Sequence, residues 1–211
     1  MDENLSWKNH VQKTCNKISS AIYIINKSKH FLPRQALKTL YDSLVHCHLN
    51  YGIYVWGGCT AVKTLVTVQK KAIRIINGKP YNYHTEPLFK ENGILKMEDL
   101  YRMNSNIFMH QLKYNLLPDS FRNMTYFDKN TRLTRQSGLA RFSRARTMYT
   151  SRLPRHTLPK LWNELDDNAR DIATLSLFKR CIKKKYINSY KLNIQCNNNR
   201  CRQCFPTPGG N

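Results

Sequence analysis

Acidic residues are scarce in this chain: 13 Asp and Glu stand against 35 Lys and Arg in 211 residues, a formal charge of +22. A nuclease or polymerase that works with two metal ions needs carboxylates held a few ångströms apart, and the acidic residues offer little for that purpose. Asp166 and Asp167 are adjacent but sit in the helix-or-turn stretch WNELDDNAR, and Glu98–Asp99 reads as a pair of charges at a helix start. The glycine loop of nucleotide-triphosphate enzymes, HExxH and GxSxG are all missing. Long apolar runs are missing too. The longest is about AIYII at residues 21–25, far below the roughly 20 residues a bilayer requires, so no membrane partner is expected. The opening MDENLSWKNH is acidic and then polar, unlike a secretory leader. The seven cysteines are an odd number and are not closely paired, which points to an intracellular, reducing setting, nucleus or cytoplasm.

What is abundant is positive charge. A surplus of this size on a folded domain favours a polyanion, most often a nucleic acid. The hydrophobic content of 41% is enough to build a core.

Helical periodicity dominates the first half. Ser6 can cap a helix whose apolar residues Trp7, Val11, Cys15, Ile18, Ile22 and Ile25 recur at steps of three and four. Pro33 is placed to open a second helix carrying Leu37, Leu40, Tyr41, Leu44 and Val45, which runs out towards Gly52 and Gly57-Gly58. The aromatic cluster Tyr51, Tyr54 and Trp56 then leads into a third helix, Val62 to Asn77. Wound at about 100° per residue from Lys63, this helix puts Lys70, Arg74 and Lys71 at roughly 340°, 20° and 80°, opposite Leu65, Val68, Gln69, Ala72, Ile73 and Ile76. Such a face is either a phosphate-contacting stripe or a plain solvated surface; the aromatics before it either anchor by burial or stack on bases. Gly78 and Pro80 end the helix. The stretch 81–100 reads as a connector with short buried anchors, and a fourth helix covers Glu98 to Leu116 with Leu100, Met103, Ile107, Phe108, Gln111 and Leu112 inward.

The character then changes. From Lys129 to Asn163 there is no acidic residue, and Arg132, Arg135, Arg141, Arg144, Arg146, Arg152 and Arg155 lie among serines, threonines and aromatics, flanked by Lys129 and Lys160. Arginine suits bidentate contacts to phosphate oxygens. With Gly138, Pro154 and Pro159 interrupting any period, the segment reads as an extended, loop-rich arm ordered on binding, or as a mobile basic linker. A last helix begins near Leu175, with Phe178, Cys181, Ile182 and Tyr186 along one side and Lys183, Lys184 and Lys185 on the other. The tail holds Cys196, Cys201 and Cys204 as C-x4-C-x2-C. A structural zinc site wants four ligands, and Cys181 is the one further cysteine that could reach it, so no metal site is assigned. The chain thus divides into an all-α helical bundle over 1–117, a basic arm with a C-terminal helical segment over 118–190, and a cysteine-containing tail over 191–211.

Several pieces read together. Asp2 to His10 follows D-x-x-L-x-W-x-x-H. After it come LPRQALKTLYDSLVHCHLNYGIYVWG (residues 32–57), LVTVQKKAIRIINGKPYNYHTEPLFKENGILKMEDL (65–100) and PKLWNELDDNARDIATLSLFKRCIKK (159–184). In order and spacing they resemble the region downstream of the catalytic palm in jockey-like non-LTR retrotransposon reverse transcriptases. The resemblance implies a thumb-like helical fold, with scaffold roles for Trp7, His10, Tyr51, Gly52 and Trp56. Gln69, Lys70 and Arg74 match in the third helix, where the two cations would contact a nucleic-acid backbone. It implies RNA, DNA or an RNA–DNA hybrid as partner, together with the upstream polymerase domains of a parent protein. Mg2+ would belong to the palm alone, so no catalytic residue and no cofactor is expected in this chain, which reads as a fragment that binds template or primer without polymerising. The alternative is a protein-interaction or structural RNA-associated module.

Overall fold

The computed structural model describes residues 6–121, 126–127, 139–141 and 145–191, and nearly all of its regular structure is helical. Helix α1 spans Lys8–Ser28 and buries Val11, Cys15, Ile18, Ile22 and Ile25, as the spacing predicts. Trp7, rather than Ser6, occupies the cap position, with a left-handed backbone (φ 56°), and the Ser6 hydroxyl lies 3.5 Å from the Lys8 amide.

Pro33, extended, precedes α2 (Arg34–Tyr41), which passes through a π-helical turn at Asp42–His46 into α3 (Cys47–Asn50). The sequence explains the π turn. Leu37, Tyr41, Val45 and Leu49 are all buried at strict intervals of four. Because an α-helix repeats every 3.6 residues, each step of four would walk the stripe round by about 40°. The wider turn takes up that drift and keeps all four residues on the core.

Gly52, with φ 58°, starts the short α4 (Ile53–Trp56), and the Trp56 indole N–H donates to the Tyr51 carbonyl at 2.9 Å. Helix α5 (Val62–Ile76) packs along α1, its buried face being Leu65, Gln69, Ala72, Ile73 and Ile76. The stretch expected to be a connector contains a helix of its own, α6 (Glu86–Asn92), with Pro87 in its first turn and Gly93 closing it; α7 follows over Met97–Lys113.

The all-α expectation holds in outline, but the second half departs from a loop-rich arm. After a 3-10 turn at Asp119–Phe121 and an antiparallel pair β1 (Tyr126–Phe127) and β2 (Ala140–Arg141), the chain forms α8 (Met148–Arg152), α9 (Pro154–Asn163), α10 (Asp167–Arg170) and α11 (Leu175–Ser189). Two features make residues 148–163 helical despite the prolines. Thr147 and Thr150 cap α8 reciprocally, each hydroxyl accepting from the other's amide. Pro154 opens α9, where a proline is tolerated, and the burial of Leu158, Pro159 and Trp162 outweighs the one hydrogen bond that Pro159 removes.

Apolar residues gather in two clusters. The first unites α1 to α6, the start of α7 and Tyr190. The second joins the end of α7 (Phe108, Met109, Leu112) to Trp162, Leu165, Phe178 and Ile182. Helix α7 therefore runs through both. In α11, Cys181 is exposed rather than inward, because the buried stripe steps by four through Phe178 and Ile182 and leaves it on the flank. The residue after α11 docks back on the first cluster: the Tyr190 hydroxyl donates to Asp99 at 2.6 Å and accepts from the Lys96 amide at 3.0 Å, with the Lys96 ammonium 4.5 Å from its ring centroid. Burial and the Asp99 contact raise the Tyr190 phenol above its ordinary pKa. No helix among the described residues is long and apolar enough to cross a membrane.

Candidate nucleic-acid interface

Three of the α5 cations, Lys63, Lys70 and Arg74, lie on one stripe of the helix, about 16 Å from end to end at 1.5 Å per residue. Lys63 and Lys71 are exposed, and Lys70 and Arg74 half-buried. None of Lys63, Lys70 and Lys71 has a carboxylate partner among the described residues; the ion pairs there engage Arg34, Lys96, Lys113, Arg170 and Lys185 instead.

Arg74 has a different setting. Its Nε donates to the Tyr83 carbonyl at 2.8 Å, and its guanidinium stands 5.7 Å from the centroid of Tyr81, a ring 80% exposed. Partial burial lowers its pKa from the ordinary guanidinium value, with Tyr81 opposing that shift. Beside it, the Lys79 ammonium lies 5.1 Å from the Tyr83 ring. The turn after α5 thus carries two cation–π pairs, one with an aromatic face open to solvent. Neither tyrosine stood out in the sequence, although YNY directly after Gly78-Lys79-Pro80 is the signal that could have marked them.

The second set of cations is described only in part. Arg132, Arg135 and Arg144, like Cys196, Cys201 and Cys204, lie outside the described residues. Arg141 is exposed on β2, whose neighbour Ala140 is held at the C-terminal end of α9 by two hydrogen bonds with the Asn163 amide (2.9 and 3.1 Å). Arg155 is exposed in the first turn of α9, about 12 Å of helix rise away. Arg146, just before α8, and Arg152, its last residue, are also exposed. Of this group, Arg152 shares a cleft with Thr60 at the entry to α5, one turn before Lys63.

The scaffold residues behave unequally. Trp56 is buried and Trp7 half-buried, while Tyr51 is 78% exposed and contributes its carbonyl rather than its ring. Tyr54 stacks on Phe108 at 5.2 Å. Gln69 is a buried hub: its amide donates to the Tyr41 hydroxyl (3.0 Å) and the Leu95 carbonyl (2.9 Å) and accepts from the Met97 amide (2.9 Å). It therefore joins α5 to α2 and α7. Asp166 and Asp167 pair with Lys185 and Arg170. No group of His, Cys, Asp and Glu that could hold a metal occurs among the described residues.

No family model, curated protein or solved structure matches the chain.

Proposed function

We propose that the chain binds nucleic acid along α5, with Lys63, Lys70 and Lys71 on the phosphates and Tyr81 offering a stacking surface for a base. One observation supports this above the others: among the described residues Lys63, Lys70 and Lys71 have no carboxylate partner, while Glu86, Glu91, Asp166, Asp167 and Asp171 pair with other cations, and beside this face stands an exposed ring that Arg74 holds in place. The stripe covers about five phosphates of one strand at 3.4 Å each. An exposed aromatic favours single strands, since every base has a face to stack.

On this reading, and on the resemblance of its residues to the region beyond a retrotransposon polymerase palm, the chain grips template or primer and does not extend it. The test is salt-dependent binding to matched single-stranded RNA, duplex DNA and hybrid probes. Replacing Lys63, Lys70 and Lys71 with Ala should flatten the log–log salt slope for single strands by about 2, at roughly 0.7 per phosphate contact. Tyr81→Ala should weaken single-strand binding by about 1–3 kcal/mol and leave duplex binding nearly unchanged. Wild-type affinity in the triple variant would remove α5 as the site, and primer extension by the chain alone would overturn the non-catalytic reading.

One feature favours a protein-interaction module instead. Tyr23, Ile24, Phe31 and Leu32 are exposed around the α1–α2 turn, Phe31 at 87%. Self-association that persists at about 0.5 M salt, where exposed charges are screened, would support that reading.

A further inference from the structure

The C-terminal half of α1 is apolar on two sides. Ile18, Ile22 and Ile25 are buried in the first cluster, while Tyr23 (63% exposed) and Ile24 (49%) face outward. The helical twist continues past Ser28: Lys29 keeps right-handed helical backbone angles, and the Phe31 and Leu32 amides both donate to the Ser28 carbonyl at 3.0 Å. Wound at about 100° per residue from Tyr23, the outward stripe holds Lys27 at roughly 40°, Phe31 at roughly 80°, Ile24 at roughly 100° and Lys17 at roughly 120°. The buried isoleucines fall at about 200° to 260° on the same scale. Phe31 is 87% exposed, and Lys29 and Leu32 are exposed in the same turn. The sequence holds no Asp or Glu between Glu3 and Asp42. Among the described residues Lys17, Lys27 and Lys29 make no ion pair; Lys27 lies 5.6 Å from the Tyr23 ring centroid, and Glu91 is held by Arg34 at 2.8 Å.

Charge and shape together choose what covers this stripe. A second copy of the chain would bring its lysines against one another. A ring as far out as Phe31 forms a ridge, whereas an amphipathic partner helix docks into a groove. Aromatic and aliphatic tips set among lysines match the boundary of an anionic bilayer, where rings sit at headgroup level and lysine stems carry their charge to the acidic headgroups. The lack of a long apolar run excludes a spanning helix and not one that lies in the plane of the surface. We infer that the outer face of α1 and its closing turn dock on an anionic lipid surface, with Tyr23, Ile24, Phe31 and Leu32 entering the headgroup boundary and Lys17, Lys27 and Lys29 facing the acidic headgroups. This surface is separate from the α5 face and does not rest on the nucleic-acid reading.

The full chain is sedimented with vesicles of phosphatidylcholine alone and with vesicles that also contain about 30% phosphatidylserine, at about 100 mM salt. The anionic vesicles should bind at least ~10-fold more tightly. Ile24→Ser with Phe31→Ser, both at exposed positions, should weaken that binding by at least ~10-fold, about 1.4 kcal/mol, and leave affinity for single-stranded RNA unchanged. A formal charge of +22 draws the chain to any anionic surface, so the decisive comparison is between two variants that lose the same charge. Replacing Lys17, Lys27 and Lys29 with Ala should weaken vesicle binding well beyond the loss caused by replacing Lys63, Lys70 and Lys71. In Phe31→Trp, the emission gained over the wild-type chain should be quenched by lipids brominated in their acyl chains. Unchanged vesicle binding in the serine variant, or equal losses in the two lysine variants, overturns the inference, because the attraction would then be diffuse charge. Self-association that the serine variant abolishes, in a chain that ignores both kinds of vesicle, overturns it as well and assigns the stripe to protein contact.

Discussion

The two core clusters solve the same packing problem with different chemistry. In the first, the buried polar side chains Gln69 and Asn92 are fully engaged: Gln69 has three partners, and Asn92 donates to the Leu88 carbonyl (2.6 Å) and the Asn77 side-chain Oδ1 (3.2 Å) and accepts from Arg34 (3.1 Å). Beside that cluster, His10 Nε2, packed on Trp7 and Trp56, is one buried atom with no partner among the described residues; around the second cluster there are four, Asn106 Oδ1, His110 Nδ1, His156 Nδ1 and Arg170 Nη1. Its cohesion comes from rings: Trp162 lies 6.0 Å from Phe178, and His110 stacks on Phe178 at 4.4 Å. A satisfied polar network fixes one arrangement, whereas a partly satisfied one weakens the region that contains it. The second cluster should therefore open before the first.

The largest test removes the central ring. Trp162 is fully buried, and Trp162→Ala should cost about 3–5 kcal/mol. Amide exchange should then rise through α9 and α11 while α1 and α5 stay protected. If α5 lost protection in step with α11, the clusters would be one cooperative unit and the contrast would fail.

The counterpart in the first cluster is Gln69→Leu, which strands the Tyr41 hydroxyl, the Leu95 carbonyl and the Met97 amide together. Leaving buried groups unsatisfied costs about 1–3 kcal/mol each, and partial relaxation brings the total to about 3 kcal/mol. Because Gln69 ties α5 to α2 and α7, this loss should appear in the global unfolding midpoint and not as local opening. A midpoint unchanged in chemical denaturation would show that the hub does not carry the first cluster.

A smaller effect comes from pH. Burial first, then the charge of Lys113, lowers the His110 pKa, while its hydrogen bond to the Ile172 carbonyl (2.7 Å) opposes the shift. The folded state therefore holds a neutral imidazole more firmly than the unfolded chain, whose value is near 6.5. Its contribution is complete above that pH and is lost as pH falls through the folded value. His46 and His10, also lowered by burial, act in the same direction in the first cluster, so the readout must be regional. Protection of α11, taken relative to the intrinsic exchange rate at each pH, should fall between pH 7 and pH 5, and His110→Phe should blunt that fall. An identical pH response in the variant would acquit His110.

How far the sequence could be read follows the same division. Periodicity located α1, α5, α7 and α11, because each buries one stripe at steps of three and four. It missed α6, which is too short for a stripe to show, and α9, where two prolines mask a helix that the placement of Pro154 in its first turn and burial secure. The charged face of α5 was legible because the angle between its faces follows from spacing alone. The Arg74–Tyr81 pair and the Gln69 hub were not, since each joins residues whose proximity only the packing of helices decides. Arg141 and Arg155 show the converse: close in composition, they are set apart by the length of α9.

The smallest expected effect separates the regions by how they end their helices. Helices α5, α6 and α7 close with the same pair of backbone hydrogen bonds: Lys79 to Arg74 and Gly78 to Ile75; Ile94 to Phe89 and Gly93 to Lys90; Leu116 to Gln111 and Asn115 to Leu112. The residue that must turn left-handed is Gly78 (φ 61°) or Gly93 (φ 63°) in the first cluster, and Asn115 (φ 54°) where α7 leaves the second. A Cβ at Gly93 would meet nothing within 4 Å, so Gly93→Ala should cost only the backbone strain, about 1 kcal/mol. Asn tolerates this conformation better than Ala, so Gly93→Asn should cost less, and Asn115→Gly should shift stability by under about 0.5 kcal/mol because the relief of strain is offset by a more flexible unfolded chain. A gain from Asn115→Gly well above that, measured by chemical denaturation, would mean that the second cluster also carries backbone strain at its edge, and its earlier opening would then owe as much to that turn as to the unpartnered atoms inside it.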